Sequence, residues 1–418
     1  MSNPKVNEEA LTPVVARKII ETVGGQGTPP EFGFQYFTVG LDDYLRTLED
    51  DYFRSFIREG GSSFKLVIGN YGSGKTHFLY CVRALAWKYN FIVSYVVLSP
   101  EHSPFYALEK IYKEIVANLA YPQSSEELVH GYRRGIESLI SFWYSKKYNE
   151  LKEKAEKLSE GSIWEGLMSY ASSLSPYEST SFRNAMKEAF LSTAEKRYED
   201  LSLVVQWLKG ENPPKDILKR YGIFERIDKS TAFKMIRSLA QWIRDIGFSG
   251  IVVLFDEAEQ IPSMSSKQVG LLLNNLRELI DECGHDNFKN TMWFYAVPDE
   301  NFLEGRALVY EALRQRTATV FNSKLNPTGV KIYLEKIPSD SVESLKEIGR
   351  KLAKIYEVAY GVKFNYSDLE KTIEEVSHAV YEKKFEVGYK RLFVQSIVKA
   401  FHVMRQTNKP VSRKDVEL

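Results

Sequence analysis

The stretch LVIGNYGSGKTHFLY, residues 66–80, is an apolar run that breaks at three glycines and resumes as an apolar helical pattern. The spacing inside the break is G-x-x-x-x-G-K-T, with Gly69, Gly74, Lys75 and Thr76 at the fixed positions of a phosphate-binding loop. Glycines let such a loop wind into a nest of inward-pointing N–H groups, and the helix that follows turns its positive dipole end to the same spot. A polyphosphate fits that concavity. Lys75 is expected to reach the β- and γ-phosphates and the Thr76 hydroxyl to be a ligand of the bridging Mg2+. Asn70, Tyr71, Gly72, Ser73 and His77 complete the expected nucleotide-binding run. The flanks agree with it, since FKLVI (64–68) reads as a buried strand and 77–87 as an apolar-faced helix.

Hydrolysis needs more than a phosphate cradle: a carboxylate on the metal side and a group that orients water. IVVLFDE (251–257) supplies both at the end of a second apolar strand. Asp256 is expected to hold a water of the Mg2+ shell, and Glu257, already turning off the sheet, to act as general base. Such a strand ending in two acids is usually a solvated strand end. The upstream phosphate loop reverses those odds. The strand TMWFYAV (291–297) runs into Pro298, Asp299, Glu300 and Asn301, where Asp299 and Asn301 are both open candidates for a polar contact with the γ-phosphate.

The chain of 418 residues has room for two to three domains. With 56 basic and 55 acidic side chains its net charge is +1, so no global polycation recruits nucleic acid or a membrane, and any DNA contact must be local. Cys81 and Cys283 lack zinc or redox spacing, and the six histidines are scattered, which argues against a metal centre built on either. Residues 1–30 carry no apolar leader, and no apolar run approaches the length of about eighteen residues needed to span a bilayer. A cytoplasmic protein with no membrane partner is expected.

Along the chain, 8–23 reads as a helix closed by GGQGTPP, and a second helix starts near Asp42. Strands are expected at 64–68, 91–99, 251–257, 291–297 and 330–335, with helices over 106–119, 266–283 and 301–316 between them. Apolar strands alternating with helices predict an α/β fold with a parallel sheet covered on both faces. Residues 121–229 are mostly helical by period and form an insertion that separates Lys75 from Asp256. From 338 onward the pattern is helical only. The expected organisation is an N-terminal helical segment over 1–60, a P-loop ATPase core over 61–337 and an α-helical domain over 338–418.

With these residues in place the chain resembles the AAA+ ATPases, in the branch near the origin-recognition ORC/Cdc6 proteins and the STAND NTPases. More narrowly it resembles the ATP-binding proteins of bacteriophage-exclusion (BREX) systems. The resemblance rests on ARKIIE with GTPP, YFTVGLDDYLRTL ahead of FKLVIGNYGSGKTHFL, QWLKGE, GFSGIVVLFDEAEQI and GYKRLFVQSIV, and covers nearly the whole chain. It implies an AAA+-like sheet with a C-terminal α-helical lid. It also implies that Val39 and Gly40 lie beside the adenine, that Arg391 of GYKR touches the nucleotide, and that Arg314 or Arg316 of EALRQRT acts across a subunit boundary. Origin-recognition proteins carry a winged helix after the lid, and none is expected here.

The first functional expectation is therefore an ATP-hydrolysing motor or switch that binds ATP and ADP with Mg2+, forms a homo-oligomer, and works with partner proteins in phage defence or DNA processing. The alternatives are a slow-turnover, nucleotide-gated scaffold that assembles partners, and a DNA-associated loader without a winged helix. A small-metabolite kinase is disfavoured by the Asp256–Glu257 pair and by the separate C-terminal helices.

Overall fold

Strand β1 (Ser62–Ile68) carries the phosphate loop at its end, and five more strands assemble around it: β2 (Ile92–Val97), β3 (Leu119–Ala120), β4 (Ile251–Asp256), β5 (Thr291–Val297) and β6 (Lys331–Tyr333). The computed structural model describes residues 11–154, 160–258, 264–285, 287–301, 308–336, 341–384 and 388–416. The sheet order is β3-β2-β4-β5-β1-β6. All neighbours are parallel except β3, which pairs antiparallel with β2 and was not anticipated from sequence.

Every residue of β4 and of β5 is buried, as continuous apolar runs should be when helices cover both faces of a parallel sheet. Successive residues feed two different cores. Val252, Leu254, Met292 and Phe294 pack on one face, with the helix Lys75–Lys88, the N-terminal helix and the C-terminal helices. Ile251, Val253, Phe255, Trp293 and Tyr295 pack on the other, against the helices of the insertion and the helix Ser266–Gly284. The expected α/β architecture is present. Asp256 follows the register of Val252 and Leu254, which aims its side chain at the face that holds the phosphate-loop helix.

The N-terminal helix spans Pro13–Gln26 rather than 8–23; residues 8–10 lie outside the described residues. Pro13 takes the first helical turn and Thr12 caps it, which fixes the start. The helix runs on through Gly24 and Gly25 because this segment packs on the helices Val342–Tyr360 and Tyr389–Thr407, Gly24 lying against Val398. Tertiary burial overrides the glycine signal. The C-terminal helices are thus tied to the beginning of the chain.

The helix expected over 301–316 is described from Leu308–Arg316, with 302–307 outside the described residues, and the last strand is shorter than 330–335 because the chain turns into a 3-10 turn at Leu334–Lys336. The block 121–229 is mostly helical where described, and a further helix, Ala232–Asp245, lays Trp242 and Ile243 into the same core before β4 begins.

Candidate functional site

Parallel strands present their C-terminal ends along one edge of a sheet, and ligands of open α/β folds sit in the crevice beyond that edge. Here Ile68 pairs with Val297, and Phe255 with Tyr295, so the turns leaving β1, β4 and β5 emerge together. A cavity of about 480 Å³ lies there. That is the size of a small-molecule site (roughly 300–1,000 Å³). Its walls come from residues 71–78, from Asp256 and Glu257, from Val23, Gly27, Thr28, Pro29, Phe37, Val39 and Leu41 of the N-terminal segment, from Leu334 and Ile348, and from Lys390, Arg391 and Val394 of the C-terminal helix.

At one end stands the phosphate loop. Gly72 and Gly74 have φ of 78° and 101°, which turns the chain tightly into the helix Lys75–Lys88. Lys75 is buried, and its Nζ donates to the Gly69 carbonyl at 2.9 Å. Thr76 Oγ1 donates to Asp256 Oδ2 at 2.7 Å across 180 positions of chain. The Tyr95 hydroxyl donates to the same oxygen, and the Glu257 N–H donates to Asp256 Oδ1 at 2.9 Å. Burial, and then the charge of Asp256, push the Tyr95 phenol far above its ordinary pKa, so it stays a donor.

Glu257 is exposed and has φ of 59°, a left-handed conformation uncommon for a residue with a side chain and costing about 1 kcal/mol or more. The reversal separates two adjacent acids: Asp256 points under the loop and Glu257 stands in the cavity wall. Thr76 Oγ1 and the Asp256 carboxylate make a compact oxygen donor set. Among the described residues no group of three or more His, Cys, Asp or Glu is arranged for a metal. Such a set fits Mg2+, which keeps its waters and is bound through one or two protein oxygens plus substrate phosphates.

Part of the cavity wall is apolar. Val39 lines it with Phe37 and Leu41, while Gly40 does not. Gly69 and Asn70 are also outside the wall; the Asn70 N–H is held by Glu335 Oε1 at 3.1 Å. His77 sits half-buried between the rings of Phe34 and Phe37. Its Nε2 lies 2.8 Å from Thr38 Oγ1, whose own proton goes to the Phe34 carbonyl. That network assigns the His77 proton to Nε2. Burial, and then the positive charge of Lys390, push the imidazole down to about 4.

Arg391 lines the cavity, with Nε donating to the Gln26 carbonyl at 3.0 Å and Nη1 to the Tyr71 hydroxyl at 2.8 Å. Arg314 and Arg316 are exposed and do not line the cavity of their own chain; Arg316 donates to Asp281 Oδ2 at 3.0 Å. Asp299 and Asn301 do not line it either, and the Asn301 N–H is turned to Asp299 Oδ1 at 2.8 Å. Sequence reasoning missed Tyr95, Lys390, Phe37 and Leu334. Lys390 and Phe37 lie inside quoted motifs, GYKR and YFTVGL, and were within reach. Tyr95 was not, because only the pairing of β2 with β4 brings it to Asp256.

The family model described as BREX system ATP-binding protein BrxC/D matches residues 12–418. No curated protein and no solved structure matches the chain. Among the described residues no helix is long and apolar enough to cross a membrane.

Proposed function

The chain belongs to the BREX system ATP-binding protein BrxC/D family, and from that premise we propose that the cavity at the sheet edge binds ATP with Mg2+ and hydrolyses it. The observation that carries this reading is the 2.7 Å hydrogen bond from Thr76 to Asp256, which joins the phosphate loop to the end of β4 in one wall. The loop N–H groups and Lys75 hold the β- and γ-phosphates, while the apolar part formed by Val39, Phe37 and Leu41 takes the base. Mg2+, held through Thr76 and Asp256, would neutralise phosphate charge. Glu257 accepts the proton of the attacking water as its oxygen bonds to the γ-phosphorus and the β–γ bridging bond breaks, releasing ADP and phosphate.

Arg391 follows the bound phosphates from the lid, so that helices 338–418 read the state of the core at 61–337. Arg314 or Arg316 of a neighbouring subunit supplies charge to the transition state of a homo-oligomer. The product is a nucleotide-driven switch or motor that works in the cytoplasm with the partner proteins of a phage-defence system. The slow scaffold is favoured by one observation, the engagement of Arg316 with Asp281 in its own chain. Titration calorimetry with ATP–Mg2+ tests the binding claim: Lys75→Ala should bind at least about tenfold more weakly, because a charge-assisted contact is removed from a preformed nest. Equal affinity in the variant overturns the reading.

A further inference from the structure

Strands β2 and β4 run parallel with Tyr95 opposite Leu254 and Val97 opposite Asp256, so Tyr95 and Asp256 rise from the same face of the sheet. The Tyr95 ring leans on the ring of Tyr80 at 5.1 Å, on the helix that follows the phosphate loop, and its hydroxyl ends at Asp256 Oδ2. Asp256 is only 2% exposed, so protein groups decide what each of its oxygens accepts.

An ionised carboxylate offers about four acceptor directions, two on each oxygen. Oδ2 receives the hydroxyls of Thr76 and Tyr95 and is thereby full. Among the described residues Oδ1 receives the Glu257 N–H alone, which leaves it one direction. Without the Tyr95 hydroxyl, Oδ2 has a spare direction as well, and the carboxylate can swing, taking the acceptor of the Thr76 hydroxyl with it. We propose that Tyr95 is a positioning residue for the metal: it saturates Asp256 Oδ2, which fixes the Thr76 hydroxyl as a ligand and leaves Oδ1 as the oxygen that holds a water of the Mg2+ shell. This rests on the reading that the cavity takes ATP with Mg2+.

Tyr95→Phe removes one oxygen and keeps the ring that packs on Tyr80. The test is ATP affinity by calorimetry, on the full chain, across a Mg2+ series and in EDTA. The expected result is that the variant needs about tenfold more Mg2+ to reach half of the metal-dependent gain in affinity, the usual scale for loss of a group that orients a ligand, while binding in EDTA is unchanged. An unchanged Mg2+ midpoint overturns the assignment, and so does an equal loss with and without metal, which would mark Tyr95 as merely structural. A wild-type chain whose ATP affinity ignores Mg2+ would sink the underlying reading itself, an outcome distinct from a responsive wild type and an indifferent variant.

Discussion

Gly72, at the tip of the phosphate loop, backs onto Gly388, the residue that opens the last long helix: a Cβ at Gly72 would stand 2.5 Å from the Gly388 Cα. Two glycines thus let the loop and the C-terminal helices meet backbone to backbone above the cavity, beside the Arg391 to Tyr71 hydrogen bond. Any side chain at Gly72 must push the C-terminal helix away or distort the loop.

Gly72→Ala should therefore destabilise more than its backbone strain alone explains. Gly74 supplies the control, since its φ of 101° strains an alanine in the same way while nothing lies within 4 Å of the added Cβ. Left-handed alanine costs about 1–2 kcal/mol in either place. In the absence of nucleotide, Gly72→Ala should melt at least about 2 °C below Gly74→Ala. Equal melting temperatures would mean that the loop and the C-terminal helix do not press on each other in solution.

His77 makes stability depend on acid. Its folded pKa, about 4, lies below the ordinary histidine value of 6.5. The unfolded chain therefore takes up the proton first as pH falls, so the contribution is whole above 6.5 and is lost progressively between 6.5 and 4, with a limiting slope of about 1.4 kcal/mol per pH unit. Urea unfolding at pH 7 and pH 5 should show a smaller difference for His77→Gln, which keeps a donor for Thr38 and cannot titrate. Parallel pH dependences for the two proteins would remove His77 from the account.

How much of this was legible in the sequence depends on which physical signal each part left. The meeting of residues 69–76 with the Asp256–Glu257 pair was readable because a Gly-rich turn and two acids each follow an unbroken apolar run, and the apolar strands because burial on both faces demands such runs. The end of the first helix was misplaced because Gly24 and Gly25 speak locally while Val398, far along the chain, decides. Strand β3 has two residues and no pattern to read. Tyr95 is one aromatic in an ordinary β-rich run, and its meaning appears only when β4 is laid beside β2. Gly40 lies in a segment that lines the cavity, where Val39 and Leu41 on either side of it form the wall.

The two arginines at the end of Leu308–Arg316 predict that assembly controls turnover. Both are exposed and off the cavity of their own chain, so an effect on chemistry must come through a neighbour. ATPase activity per molecule should rise with protein concentration, and Arg314→Ala or Arg316→Ala should lower turnover while leaving ATP affinity nearly intact. Activity that stays flat over a wide dilution series, from a particle that light scattering finds monomeric with ATP bound, would exclude the trans-arginine arrangement and favour the slow scaffold.

The central claim is that Glu257, turned out of β4 by its left-handed backbone, activates water against a nucleotide held by Lys75, Thr76 and Asp256. Single-turnover hydrolysis of ATP by the wild type and by Glu257→Gln, with ATP affinity measured on the same samples, addresses it most directly. The account predicts that the variant binds ATP as well as the wild type does and cleaves it about a hundredfold or more slowly, because only the proton acceptor is lost. A variant that cleaves at the wild-type rate, or that fails to bind ATP at all, would contradict it.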